Sequence, residues 1–257
     1  MSTPEHVAAA IAALDALTRR LRRECPWDRE QDERSIVPHT VEEAYELAGA
    51  AHAGDDAKLL DELGDVLFQV HFLSLLLEER GAGTLADVAE HCRQKLIRRH
   101  PHIFGEVEAA HAEQVLRNWD AIKATEAGRE PGIFGEVPEN LPAPLYARKV
   151  QRRAASTGFD FDRVPYETVR GELDELEAAA DREARFHELG DVLFAAVNVA
   201  RKLKVDPELA LRAAADRFRS RVADAEGLAA SDGIDWNDLG PQDQLALYAR
   251  ARLEEER

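Results

Sequence analysis

Residues 62–68 read Glu62-Leu63-Gly64-Asp65-Val66-Leu67-Phe68, and the same seven residues return as Glu188-Leu189-Gly190-Asp191-Val192-Leu193-Phe194. Such a run of identities does not arise by chance, so the chain carries a duplicated module. The match extends outward from both copies. Upstream, Glu43-x-x-Glu46 is answered by Glu172-x-x-Glu175. Downstream, a helix capped by Thr84 reaches Lys95 and Arg99, and one capped by Asp206 reaches Arg217 and Arg221, at the same intervals of 11 and 4 residues. The loops ahead of the acids look alike as well, with Cys25-Pro26-Trp27-Asp28 facing Gly158-Phe159-Asp160-Phe161-Asp162. Two copies of about a hundred residues are a duplication, not a short stacking repeat.

The fold class follows from periodicity. Apolar residues recur three and four apart, Ala and Leu dominate, and no segment sustains period-two alternation, so the expectation is all-α. Helices are predicted near 4–24, 39–53, 55–80, 84–100, 112–126, 142–157, 165–181, 182–204, 206–227 and 241–255. Gly54 and Gly81 fall where helices should stop, and Pro207 suits a first helical position. The stretch 128–144, GREPGIFGEVPENLPAP, has three Gly and four Pro and reads as a linker. It separates a first helical-bundle module, 1–127, from a second, 145–257.

Composition excludes several classes. Of 257 residues, 33 are Lys or Arg and 50 are Asp or Glu, giving a charge of −17. That balance disfavours a partner bound through nucleic-acid phosphates, which needs clustered cations. The most apolar run, 66–77, contains Gln69, His71 and Ser74 and falls short of the roughly 20 apolar residues of a membrane span, so it reads as a core helix. Met1-Ser2-Thr3-Pro4-Glu5-His6 does not read as a basic-then-apolar leader, so a secretory signal is not expected, and the two cysteines, Cys25 and Cys92, offer neither a CxxC nor a disulfide framework. A cytoplasmic protein is expected.

The acids carry the chemistry. A single acidic pair three apart means little, since about ten arise by chance at this composition. Two pairs on consecutive helices differ, because residues three apart share a face and a short connection folds the helices antiparallel. Glu43 and Glu46 then face Glu62 and Asp65, and Glu172 and Glu175 face Glu188 and Asp191. Asp65 and Asp191 each precede Val-Leu-Phe and so lie beside the buried side of their helix. Like charges converging there repel unless a cation compensates. An all-oxygen set suits Mg²⁺, with Mn²⁺ as substitute, better than Zn²⁺. Gly64 and Gly190 suit a close approach of helices at that point. A metal in such a cluster meets phosphate oxygens, and basic residues complete the cradle: Lys149, Arg152, Arg153, Arg217 and Arg221 in the second module, Lys95 and Arg99 in the first. Phe159 and Phe161 either stack on a base or pack their loop, and Trp27 has the same two readings.

These residues resemble the MazG family of nucleoside triphosphate pyrophosphohydrolases, within the all-α NTP pyrophosphatase superfamily. The resemblance lies in the twofold ExxE–spacer–ExxD pattern. It lies also in Cys25-Pro26-Trp27-Asp28-x-x-Gln31, Arg98-Arg99-His100-Pro101-His102-x-Phe104, Asn118-Trp119-x-x-Ile122-Lys123 and Gly158-Phe159-Asp160. It implies hydrolysis of an NTP between the α and β phosphates to NMP and pyrophosphate with Mg²⁺, broad base tolerance suited to nucleotide-pool cleaning, and a homodimer. Glu172, Glu175, Glu188 and Asp191 are the expected catalytic set. The departures are Gly171 where Glu42 stands in the first module, Phe161 where the family commonly has Trp, and Arg217 where it often has Lys. The second spacer is also shorter, with 12 residues against 15.

Other classes fit less well. A di-iron bundle needs two inward Glu-x-x-His motifs, and only Glu108-x-x-His111 occurs. No His precedes Asp, which removes an HD-type phosphohydrolase, and no basic recognition helix supports DNA binding. The remaining alternative is a helical dimerisation or regulatory protein with one active module or none.

Overall fold

The computed structural model describes residues 2–105, 107, 111, 114, 115, 118, 119, 122, 132–135 and 137–255. The described residues form helices and turns without a strand. The chain divides into two compact units, Met1–Glu126 and Ala127–Arg257. No helix among the described residues is long and apolar enough to cross a membrane.

The first unit comprises α1 (Pro4–Glu24), α2 (Pro26–Glu30), α3 (Glu33–Ala53), α4 (Asp56–Glu79), α5 (Leu85–Arg99) and α6 (Pro101–Phe104). Its centre is the antiparallel hairpin of α3 and α4. Gly54, at φ 70°, ends α3 in the left-handed region, and Asp55 caps α4 by accepting from the Ala57 and Lys58 amides. Ile36, Phe72 and Leu76 form the buried core beneath Phe68 and Leu73. On the other side α1 packs against α4, where Arg19 forks onto Glu78 at 2.6 and 3.1 Å.

Helix α3 begins six residues ahead of the expected start. Pro38 reads as a helix breaker, yet it sits in the second turn of a helix already capped by Asp32, whose Oδ1 accepts from Arg34 and Ser35 at 2.9 Å. Burial of Ile36 on that extension offsets the hydrogen bond that Pro38 cannot donate. The short helices α2 and α6 each open on a proline after a non-helical residue, too brief for periodicity to register. The helix expected over 112–126 falls largely outside the described residues, as do parts of the 128–144 linker, Glu108 and Lys123.

The second unit comprises α7 (Ala143–Ala155), α8 (Tyr166–Ala178), α9 (Arg182–Lys202), α10 (Pro207–Ser231), a 3-10 turn at Trp236–Asp238, and α11 (Pro241–Glu255). Here α8 and α9 form the hairpin, α7 packs on α9, and α10 packs on α11. Buried Gln151 donates to the Phe194 carbonyl at 2.7 Å, joining α7 to α9. Helix α10 runs through Gly227 to Ser231, beyond the expected end, because buried Ala225 and Ala229 hold that turn in place. The two loops expected to look alike differ: Pro26 starts a helix, whereas Gly158, at φ 93°, makes a turn.

The second helices of the two hairpins, α4 and α9, end on the same motif with different residues. After α4, Gly81 takes φ 67° and the Ala82 amide reaches back to the Leu77 carbonyl. After α9, Lys204 takes φ 61° and the Val205 amide reaches the Ala200 carbonyl. A side chain in the left-handed region is strained by about 1 kcal/mol. Lys204→Gly should therefore stabilise the second unit by up to about 1 kcal/mol in urea denaturation, while Gly81→Lys should destabilise the first.

Candidate metal centre

In the first unit, α3 presents Glu43 and α4 presents Glu62 and Asp65, and one carboxylate oxygen from each lies within 4.8 Å of the others. The second unit builds the same trio from Glu172 on α8 and Glu188 and Asp191 on α9. The cause is the hairpin: on α4 and on α9 the two acids stand three apart and turn one face to the partner helix. Opposite ligands on a hard cation lie about 4–5 Å apart, so each trio is already at the scale of one coordination sphere. The fourth acids, Glu46 and Glu175, are exposed and stand outside the trios.

The electrostatics carry the mark of this convergence. Burial pushes the Glu43 carboxyl above its ordinary value, and repulsion from Asp65, Glu46 and Glu42 adds to the rise. Glu62 is only 5% exposed; burial raises it first and Glu46 second, with Lys58 opposing. The Lys58 Nζ stands 4.0 Å from Glu62 Oε1, beyond hydrogen-bond reach. Glu172 is raised by burial, then by Glu175, Asp191 and Glu188. A divalent cation would reverse each of these penalties, and oxygen donors without His or Cys suit a hard ion.

Two expectations about the surroundings need correction. Gly64 and Gly190 do not mark a close approach, since a Cβ at either would meet nothing within 4 Å. Gly64 instead lines an open concavity with Lys58, Leu60, Asp61 and Asp65. Nor do the Val-Leu-Phe runs lie wholly inside their units. Leu67, Leu193 and Phe194 are exposed, and both Asp65 and Asp191 are exposed themselves.

The basic candidates are distributed over several elements. Lys149, Arg152 and Arg217 are exposed, and Lys95 and Arg153 are half-buried. Arg221 is engaged with α11: its Nε lies 2.6 Å from Glu255 Oε2, and Tyr248 on the same helix packs its ring on Phe218. Arg99 lies over the Trp119 ring at 5.4 Å. Phe159 is 81% exposed and Phe161 is exposed, so neither ring packs its own loop into a core. Trp27, half exposed, meets the His39 ring edge-on at 6.0 Å, one turn before Glu43.

Sequence reading missed what holds these aromatic loops. Asp160 accepts from Arg201, and from Lys202 at 3.3 Å, while Lys202 also donates to the Phe161 carbonyl. In the first unit Arg22 donates to the Asp28 and Gln31 carbonyls and forks onto Glu79 at 2.9 Å. Partners 41 and 57 residues away leave no local signal.

Comparison with known proteins places these trios in context. Residues 31–104, spanning α3 to α6, match the MazG nucleotide pyrophosphohydrolase domain. The chain is 41% identical over 227 residues, 87% of each protein, to the nucleoside triphosphate pyrophosphohydrolase/pyrophosphatase MazG of Thermotoga maritima. It is 34% identical over 240 residues, 90% of this chain and 91% of the relative, to a nucleoside triphosphate pyrophosphohydrolase of Escherichia coli strain K12. A protein of the same name from Mycobacterium tuberculosis is 32% identical over 182 residues, 70% of this chain and 53% of its own. On the strength of similarity running through nearly the whole length of both chains, together with the paired acidic hairpins, the protein belongs to the MazG family.

Proposed function

We propose that this chain is a Mg²⁺-dependent nucleoside triphosphate pyrophosphohydrolase that converts NTP and water to NMP and pyrophosphate with broad base tolerance, cleaning the nucleotide pool. The observation that carries the reading is the pair of carboxylate trios, set in a chain whose relatives bear that activity in their names. In this reading it works in the cytoplasm as two modules, 1–127 and 145–257, joined by the linker 128–144.

Glu172, Glu188 and Asp191 would hold the ion, as Glu43, Glu62 and Asp65 would in the first module. When bound, Mg²⁺ supplies Lewis-acid polarisation of phosphoryl oxygens and neutralises charge on the pyrophosphate leaving group. Glu175 and Glu46, outside the trios, are free to orient the attacking water and take its proton. Lys149, Arg152, Arg153 and Arg217 are proposed to stabilise the phosphate charge that grows in the transition state, with Lys95 and Arg99 as the first module's counterparts. Arg221 joins them on release from Glu255. Phe159 and Phe161 are proposed to meet the base. The second module is taken as the catalytic one because the Lys149–Arg153 cluster lies on the helix leading into its acids.

A homodimer is part of the same reading. Leu60, Leu63, Leu67 and Val70 form an exposed stripe along α4, and Phe186, Leu189 and Leu193 repeat it along α9. Apolar rows of that length on a helix are uncommon unless a second helix covers them. Leu67→Glu combined with Leu193→Glu should halve the mass measured by light scattering; an unchanged mass would place the contact elsewhere.

Asp191→Ala should lower release of NMP and pyrophosphate by about a hundredfold or more while circular dichroism stays unchanged. Asp65→Ala, by contrast, should leave turnover largely intact. The reverse pattern would move the chemistry to the first module, and NDP with orthophosphate as products would refute the bond assignment.

The raised acids also set a pH signature. Glu43, Glu62 and Glu172 sit above their ordinary 4.5 in the folded chain. Without metal these three carboxyls therefore hold more protons in the folded chain than in the unfolded one. The stability this provides is complete below about pH 4.5 and is lost as pH rises through the folded values. Asp32, Glu78, Asp87, Glu90 and Asp160 are held low by their hydrogen bonds and act in the opposite sense. Calorimetry in EDTA should therefore show that decline as the difference between wild type and a Glu43→Gln, Glu62→Gln, Glu172→Gln variant, and Mg²⁺ should raise the wild-type Tm more at about pH 7 than at about pH 5. An equal Mg²⁺ effect at both would contradict the assignment of these carboxylates to the ion.

A further inference from the structure

We propose that the ion pairs pinning the two aromatic loops are positioning devices that hold an exposed ring against the substrate's base. They are Asp160 with Arg201 and Lys202 in the second unit, and Arg22 with Glu79 in the first. The inference rests on the nucleoside triphosphate reading above and names the residues that set its base end.

The two loops present the same thing by different means. In the second unit Gly158, at φ 93°, turns the chain so that Phe159 stands 81% exposed. The loop beneath it is nonetheless fixed. Arg201, 14% exposed, makes a two-point contact with Asp160, and Lys202 reaches both that carboxylate and the Phe161 carbonyl. Arg201 is itself oriented by Asn198 at 2.9 Å. In the first unit Trp27 rides on α2, and Arg22 ties the carbonyls of Asp28 and Gln31 to Glu79 near the end of α4. The same guanidinium lies over the Phe72 ring at 5.9 Å, so the anchor reaches the core.

The polarity of the pins is reversed between the units. In the first, the helix bearing the acids supplies the carboxylate and the loop side supplies the arginine. In the second, α9 supplies the cations and the loop supplies Asp160. Shared ancestry alone would carry the same pair in both copies. Opposite pairs that fix the same kind of loop at the same end of the same helix indicate that the position of the aromatic ring is what matters. An apolar ring kept in water on a rigid support retains its hydrophobic cost until a flat partner covers it.

Placement agrees with a base. Trp27 touches His39, and His39 precedes Glu43 by one turn, about 6 Å along α3. Trp27 thus stands about one helical turn of α3 from Glu43 of the trio, within the span of a nucleotide. Along α9, Lys202 lies eleven residues beyond Asp191, about 16 Å away and on nearly the same face. Stacking of that kind tolerates every base and favours the larger ring systems.

The test uses the full chain. Steady-state kinetics with ATP and with dCTP would be run on wild type, Asp160→Asn, Phe159→Ala, Glu79→Gln and Trp27→Ala, with inorganic tripolyphosphate as a base-free competitor. In the unit that turns over, removal of either the ring or its pin should raise KM about tenfold, more for ATP than for dCTP. The kcat should stay within about twofold and the Ki of tripolyphosphate should not change. Asp160→Glu should recover most of the loss. Phe159→Ala and Trp27→Ala remove exposed rings and test the idea even where a pin variant fails to fold. Unchanged KM in both ring variants overturns the proposal, and so does a parallel rise in the tripolyphosphate Ki. A wild type that releases no NMP and pyrophosphate would instead defeat the underlying reading.

Discussion

Three carboxylates drawn within 4.8 Å of one another are the constraint to which each unit is built. Left alone they repel, and burial of Glu62 to 5% exposure makes that repulsion harder to screen. The hairpin must therefore be held shut by forces acting elsewhere. In the first unit these are the Asp32 and Asp55 caps, the Gly54 turn, and the Ile36–Phe72–Leu76 core that spans the same two helices. A cation placed there would meet atoms already in position, which is the usual logic of a preorganised centre.

The duplication shows which features are fixed by chemistry and which are free to drift. The acids of the trio coincide in both copies. What surrounds them does not: the helix-terminating residue is Gly81 in one and Lys204 in the other, and the loop pins exchange sign. The core differs too. The first unit buries Ile36, Phe72, Leu75 and Leu76, whereas the second buries chiefly alanines, Ala195, Ala225, Ala229 and Ala251. A unit with so little buried apolar volume leans on contacts such as buried Gln151 to the Phe194 carbonyl for its register.

Much of this was legible in the chain itself. The repeated heptad, the carboxylate spacing and the capping residues are local signals, and they suffice for the all-α class and for the acids that meet. The early start of α3 was not legible because it depends on the Asp32 cap and the burial of Ile36 acting together around Pro38. Gly64 and Gly190 suggested close packing because a glycine's reason is invisible until the space above it is known. Arg221 read as a free cation because Glu255 lies 34 residues away and nothing local announces the pair. The same holds for Asp160: the motif containing it was plain, but its partners on α9 are set by the tertiary fold.

Anomalous diffraction from crystals of the full chain soaked with Mn²⁺ tests the central claim most directly. The account predicts an ion in each trio, about 2.1–2.3 Å from oxygens of Glu43, Glu62 and Asp65 and of Glu172, Glu188 and Asp191. Anomalous density confined to other sites, with these six carboxylates left bare at saturating Mn²⁺, would contradict it.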